Sequence, residues 1–285
     1  MIIAVSGANG YIARNLISEL EADHHTIVPI KRRLLYNTEK LPTLLADADV
    51  VINLAGAPIL QRWTDARKKE ILDSRVESTR NIVNAINSLP DNRKPRTFIS
   101  ASAIGIYAPG VMHADSSKLY AEDFVGEVVR KWEKASERLS PKVRRVIFRI
   151  GLVLGKEAQT IKKLLPFFKA GLGGKVGSGK QPFPFVHIYD VVNALVWGIQ
   201  HPQARGTYNL AAPANIDNKT FTRALARTLH RPAIFTVPEF ALKIIYGEAS
   251  SLLLKSPQVK PERLLNEGFA FLFPDIKTCL AEIKA

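Results

Sequence analysis

Two glycine-rich loops in this chain contain residue types that can hold phosphate. The first, Gly174-Lys-Val-Gly-Ser-Gly-Lys180, fits the GxxxxGK spacing of an ATP cradle. Its context does not fit: Gln181 stands where a Ser or Thr would hold magnesium, and Pro182 and Pro184 stop a helix from presenting its N-terminal amides. The second, Gly7-Ala-Asn-Gly-Tyr-Ile-Ala13, follows an apolar run and opens an amphipathic one. That is the setting of a dinucleotide-binding turn. Gly7 permits the tight turn, Gly10 lets the backbone approach a pyrophosphate, and Ala13 keeps helix and strand close. Asn9, Tyr11 and Ile12 complete the cofactor-binding set in this turn. Segment 173–181 then becomes a flexible wall of the substrate crevice, where Lys175, Lys180 and Gln181 meet an anionic or polar ligand.

The end of the second apolar run selects the cofactor. An acid there would bond the ribose of NAD, but this chain has Lys31, Arg32 and Arg33 and no acid before Glu39. The expectation is NADP(H), with Arg32 and Lys31 or Arg33 on the 2′-phosphate. Ser100 and Ser102 stand near the carboxyl end of a later apolar run, where folds of this class place their chemistry. Tyr107 and Glu133 are nearby groups able to move a proton, and His187 is expected to be structural. The six histidines and single cysteine have no metal-ligand spacing. Gly177-Ser178-Gly179 lacks the spacing of a serine nucleophile elbow.

These residues need a scaffold, and the pattern supplies one. Short β-branched runs at 2–6, 26–30, 34–36, 50–54, 96–100 and 145–150 alternate with helical patterns at 11–22, 39–46, 64–88 and 123–139. This predicts an α/β fold, a doubly wound parallel sheet of the NAD(P)-binding Rossmann type, over residues 1–151. Residues 152–285 are expected to form a smaller, mixed substrate-binding unit, with 186–210 packing back on the sheet. Helices are expected at 159–170, 217–229 and 240–254, with the stripe Phe240, Ile244, Ile245, Leu252, Leu253 and Leu254 in the core.

Composition narrows the function. The chain has 285 residues, 46% hydrophobic and 23% charged, with a net charge of +14. The basic residues fall in separate short clusters rather than one tract, which argues against nucleic acid as a partner. The N-terminus has no basic leader and no apolar run reaches membrane length, so a cytoplasmic protein without a membrane partner is expected. The expected partner is a small-molecule substrate, with a homodimer an open alternative to a monomer.

With SGANGYIARNL, DVVINLAGAPI (49–59) and FISASAIGIYA (98–108), the chain resembles the extended short-chain dehydrogenase/reductases. RWTDARKKEILDSRVEST (62–79), KWEKA (131–135), FRIGLVLG (148–155) and LPFFKAGLGGKVGSGKQPFPFVHIYD (165–190) narrow the likeness. So do NLAAPANIDNKTF (209–221), LHRP (229–232) and GFAF (268–271). Together they resemble the atypical NAD(P)-dependent epimerase-family branch sometimes labelled cell-division-inhibitor-like, and they span nearly the whole chain.

The resemblance implies places for further residues. Leu54, Ala55 and Gly56 would run past the adenosine side of the cofactor, and Ser74 or Arg75 would lie near its ribose or phosphates. Ser100 and Ala101 would border it, and Ile150 to Val153, including Gly151, would pass the nicotinamide. Ser102 would bind the substrate oxygen as a catalytic residue, with Tyr107 the second catalytic candidate. The wider family also carries a YxxxK pair on the following helix, and here those places fall at Val125 and Val129. An arginine that grips sugar-nucleotide phosphates is replaced by Phe183-Pro-Phe185. An NADP(H)-dependent oxidoreductase or epimerase-family enzyme acting on a small carbonyl or alcohol is therefore expected. The alternative is a catalytically silent NADP-dependent sensor or scaffold.

Overall fold

The computed structural model describes residues 1–284. In its first half β1 (Ile2–Ser6), α1 (Tyr11–Ala22) and β2 (Thr26–Ile30) are followed by α2 (Arg32–Leu35) and α3 (Lys40–Leu45). Then come β3 (Val50–Asn53), α4 (Asp65–Ser88), β4 (Thr97–Ala103), the short β5 (Met112–His113), α5 (Phe124–Lys134) and β6 (Arg144–Ile150). Later strands are β7 (Leu152–Leu154), β8 (Gly174–Val176), β9 (Phe185–His187), β10 (Gly206–Leu210), β11 (Phe235–Val237) and β12 (Gln258–Val259). The helices among them are α6 (Gln159–Lys169), α7 (Ile188–Gln200), α8 (Asn218–Thr228), α9 (Glu239–Tyr246), α10 (Ser251–Leu254), α11 (Glu262–Asn266) and α12 (Ile276–Lys284).

Six parallel strands form the central sheet in the order β10-β6-β4-β3-β1-β2. Alternate residues feed two separate apolar layers, because successive side chains on a strand point to opposite faces. Ile3, Val5, Ile99 and Phe148 face a layer that includes Leu16 of α1 and Val191 and Leu195 of α7. Ala4, Val51 and Phe98 face Leu41 and Leu45 of α3 and Ile82 and Ile86 of α4. Burial on both faces explains why β1, β3 and β4 read as continuous apolar runs. β2 is the edge strand, consistent with Pro29 at its fourth position, since a proline has no N–H to donate to a further ladder.

The short strand expected at 34–36 does not form. Arg32–Leu35 is a helical turn, and Leu35 is buried in the same layer as Leu41. Packing of that leucine beneath α3 and α4 overrides the β-propensity of a three-residue run. The strand order therefore reverses beside β1, between β2 and β3 as chain neighbours, and the crevice of such a sheet opens at the carboxyl ends there.

A third apolar layer joins Ile161 and Phe168 of α6, Phe221 and Leu225 of α8, and Cys279 and Leu280 of α12. The expected single helix at 240–254 is broken at Gly247, whose φ of +58° ends α9. The core stripe expected there is also corrected: Phe240, Ile244 and Ile245 are 67%, 68% and 60% exposed. Their spacing is that of an amphipathic helix, but α9 is held by Leu242 on its other face.

Segment 173–181 is held by hydrogen bonds along its length. β8 pairs with β11, Gly179 N–H donates to the Val176 carbonyl at 2.9 Å, and Lys219 N–H donates to the Gly179 carbonyl at 2.9 Å. Gln181 Nε2 donates to the carbonyls of Val176 and Leu253, both at 3.1 Å. Gly177 and Gly179 sit at φ +54° and +75°, values a side chain would strain. The glycines here make a turn packed on α8, with no helix start behind them.

Candidate cofactor and substrate site

The β1–α1 turn has the geometry that suits an anion. Gly7 has φ +70°, and a Cβ placed on it would come within 2.6 Å of the Leu54 carbonyl oxygen. Only glycine lets this turn lie against the 54–56 segment. Gly10 N–H donates to the Gly7 carbonyl at 2.8 Å, and Gly10 caps α1 with no side chain on the first amides of the helix. Those amides, at the positive end of the helix dipole, match a pyrophosphate. Ala13 is buried against the sheet, while Asn9 is exposed and Tyr11 and Ile12 are half-buried at the start of the helix. Loss of solvent, with Glu282 and Glu157 adding, pushes the Tyr11 phenol up to about 12, so it stays a neutral hydrogen-bonding group.

Lys31, Arg32 and Arg33 are exposed beyond the carboxyl end of β2, Lys31 capping α2. Arg32 Nη2 lies 3.9 Å from Glu70, a long contact on a solvated side chain that leaves the cation available. On the other side of the glycine turn, Ala55 is buried and Gly56 exposed. Arg75 lies beneath Gly56, half-buried, with Nη1 donating to the Ile71 carbonyl at 3.1 Å and the guanidinium 5.4 Å from the Trp132 ring. No carboxylate pairs with it among the described residues, and loss of solvent lowers its pKa to about 10. Ser74 Oγ accepts from Ala57 N–H at 2.9 Å and donates to the Ile71 carbonyl, so it braces the segment. A helix start without a capping side chain, a glycine floor and an unpaired cation form a cradle whose donor set suits a dinucleotide diphosphate.

Beneath this floor, Ser6 Oγ donates to Asn53 Oδ1 at 2.6 Å and accepts from Leu54 N–H at 3.2 Å. Asn53 Nδ2 and Trp132 Nε1 both donate to Thr79 Oγ1, at 2.8 and 3.0 Å. β1, β3, α4 and α5 are thereby held in one buried polar network. Gly151 continues from β6, its N–H donating to the Leu210 carbonyl at 2.9 Å, and a Cβ there would meet the Pro184 oxygen at 2.6 Å. Val153 follows in β7, paired with β9.

β4 extends three residues beyond the expected end, which places both serines inside the strand on the face toward α5. Ser100 is buried and donates to the Ala101 carbonyl at 3.0 Å; Ala101 faces the opposite layer, with α7. Ser102, 4% exposed, donates to Glu133 Oε1 at 2.6 Å. Glu133 also accepts from Arg149 Nε and Nη2, each at 2.8 Å, a bidentate pair between α5 and β6. Burial by itself depresses the Arg149 guanidinium, but Glu133, assisted by Tyr107, outweighs it and holds the pKa above the ordinary arginine value.

Tyr107 does not face an open crevice. It is 1% exposed, accepts from Arg149 Nη1 at 2.6 Å and donates to Asn209 Oδ1 at 2.8 Å, and its ring stacks on His113 at 4.5 Å. Desolvation raises its pKa, partly opposed by Arg149. Its hydroxyl is thus occupied as a structural link between β6 and β10. Val125 and Val129, at the places of the missing YxxxK pair, are buried in the small apolar cluster with Ile104, Ile106 and Tyr107. His187 is also structural: buried, it caps α7, and its Nε2 lies 3.0 Å from Glu282. Asp190 accepts from the backbone of Leu272 and Phe273 at 2.7 and 3.1 Å. Among the described residues no His, Cys, Asp and Glu group is placed to hold a metal, and no helix is long and apolar enough to cross a membrane.

The Glu133–Arg149 pair is the part of this site that sequence reading missed. A signal existed: Arg149 lies in RRVIFRI between Phe148 and Ile150, and a cation inside a buried strand demands a paired charge. Its partner was not readable, because the two are sixteen residues apart on different elements.

Residues 3–211 match the family described as the NAD dependent epimerase/dehydratase family. Residues 237–283 match a domain of unknown function, DUF1731. The Epimerase family protein SDR39U1 of Bos taurus is 33% identical, with 100% of both chains covered. The chloroplastic SDR39U1 homolog of Arabidopsis thaliana is also 33% identical, covering 99% of this chain and 86% of the plant protein. The crystal structure of the human epimerase family protein SDR39U1, isoform 2, with NADPH superimposes with a TM-score of 0.93 at 30% identity, covering 100% of this chain and 99% of that one. A glycine turn between β1 and α1, a six-stranded parallel sheet and likeness along its full length agree, and the chain belongs to the NAD dependent epimerase/dehydratase family.

Proposed function

We propose that this protein binds NADP(H) and transfers hydride between it and a small carbonyl or alcohol. The arrangement of Ser102 at the carboxyl end of β4, hydrogen-bonded at 2.6 Å to a carboxylate locked by Arg149, is the observation that supports this reading most. NADP(H) rather than NAD is supported by Lys31, Arg32 and Arg33 beyond β2 and by the NADPH bound to the human relative. When bound, the nicotinamide supplies the two-electron donor or acceptor.

The chain's own residues do the rest. Gly7, Gly10 and the first amides of α1 hold the pyrophosphate, with Arg75 adding charge beneath Gly56. Lys31, Arg32 and Arg33 meet the 2′-phosphate. Ser102 orients the substrate oxygen, and Glu133 and Arg149 fix the rotamer of Ser102. Tyr107 acts only through Arg149.

A second reading, a cofactor-dependent sensor without turnover, is favoured by Val125 and Val129 in place of a proton-moving pair. A panel of small carbonyls assayed with NADPH separates the two. Turnover that Ser102→Ala abolishes while NADPH affinity is kept supports the enzyme; NADPH binding with no turnover across the panel supports the sensor.

A further inference from the structure

Ser102 is polarised in one direction. A carboxylate accepts hydrogen bonds and donates none, so the 2.6 Å contact with Glu133 takes the Ser102 hydrogen. Arg149 prevents Glu133 from turning away, because two of its nitrogens hold both carboxylate oxygens at 2.8 Å. Arg149 is itself fixed from behind by Tyr107, whose hydroxyl is anchored on Asn209. Asn209 is anchored in turn: its N–H donates to Asp115 Oδ1 and its Nδ2 to the Lys260 carbonyl at 3.0 Å. Each member has a partner, and no buried side-chain polar atom among the described residues lacks one. A fully satisfied network of this kind holds a single arrangement.

The oxygen of Ser102 is left with its accepting capacity. Among the described residues nothing donates to it, whereas Ser6 and Ser74 both accept from backbone amides of the cofactor-side segment. A ligand group meeting Ser102 must therefore bring its own hydrogen.

We infer, building on the oxidoreductase reading above, that the crevice takes its substrate as the alcohol: Ser102 accepts a hydrogen bond from a substrate hydroxyl, and Glu133 is the positioning residue that imposes this polarity. A carbonyl oxygen, having no hydrogen, finds at Ser102 two acceptors facing each other and is bound less well. If Glu133 becomes an amide, its one oxygen satisfies both Ser102 and Arg149 Nε only by staying at the Oε1 place, so the serine still donates and the alcohol preference is kept.

Binding of matched pairs tests this without turnover: cyclohexanol and cyclohexanone, 2-butanol and 2-butanone, 1-phenylethanol and acetophenone. Saturation-transfer NMR competition is run on wild type, Ser102→Ala and Glu133→Gln with no cofactor added, so that neither member of a pair can react. In wild type at least one alcohol should bind about five- to tenfold tighter than its ketone, the range of one hydrogen bond. Glu133→Gln, whose amide oxygen still accepts from Ser102, should keep an alcohol preference, and Ser102→Ala, which leaves the Glu133–Arg149 pair intact, should bring the ratio near one. A wild type that binds neither member of any pair, or both members alike, overturns the inference. So does an alcohol preference that survives in Ser102→Ala, even if Glu133→Gln fails to fold. NADPH fluorescence titration of the same samples reports separately on the reading beneath it: lost cofactor binding in wild type removes that reading, whereas intact binding with equal ratios removes only the polarity of Ser102.

Discussion

The Arg75 guanidinium lies directly against Gly56: a methyl group added to that glycine would approach Arg75 Cζ to 3.2 Å. A partly desolvated cation without a carboxylate partner costs stability in the free protein and is relieved by an anion. Replacing Arg75 by Met should leave the melting temperature of the cofactor-free protein within about 3 °C of wild type. NADPH affinity, measured by fluorescence titration, should fall about tenfold or more. An Arg75→Met protein that binds NADPH as wild type does would remove Arg75 from the cofactor site.

Gly7 joins two requirements, a φ of +70° and a close approach to the Leu54 oxygen. Gly7→Ala violates both and should destabilise the protein by about 2 kcal/mol or more. Urea denaturation checks this. The same variant should lose NADPH binding at temperatures where it remains folded.

The proposed contact of the cations beyond β2 with the 2′-phosphate separates the two cofactors. Arg32→Ala with Lys31→Ala should weaken NADP(H) binding about 10- to 100-fold and leave NAD(H) affinity nearly unchanged, because only the 2′-phosphate differs. Parallel titration with both cofactors reads the ratio. Equal losses for both would show that these residues hold something other than the 2′-phosphate.

Glu133 and Arg149 are a buried pair, and removing one member strands the other. Glu133→Ala should cost about 3–5 kcal/mol, while Glu133→Met combined with Arg149→Leu should recover most of that loss. Tyr107→Phe should cost about 1–3 kcal/mol, since Arg149 and Asn209 each lose a partner. Chemical denaturation of the four proteins forms the test.

Burial lowers the His187 pKa, and Glu282 only partly opposes this. The folded state thus favours neutral His187 more than the unfolded chain does. Its stabilising contribution is complete above the ordinary histidine value and is lost as pH falls through the lowered one. Melting temperature should decline below about pH 6.5 in wild type. His187→Asn should lack that part of the slope between pH 5 and 7.

Residues 7–13 show how much of the candidate cofactor site was legible. A glycine turn between an apolar strand and a helix is a local pattern, and its geometry follows from neighbours in the chain. Strands β1, β3 and β4 were readable for the same reason, since burial on both faces writes continuous apolar runs. The helix at Arg32–Leu35 was not, because a leucine pulled beneath α3 and α4 decides its conformation. Nor was the exposure of Phe240 and Ile244: periodicity marks an apolar face but does not say whether anything covers it.

The sequence by itself determined the fold class and marked the glycine turn and the three cations as candidates to hold a dinucleotide and its phosphate, all of them properties of contiguous residues. Only the tertiary structure decided the state of Ser102. Its orientation depends on Glu133, held by Arg149, held by Tyr107, held by Asn209, residues spread over more than a hundred positions and four elements or loops. Hydrogen bonds act over about 3 Å in space, whatever the separation along the chain.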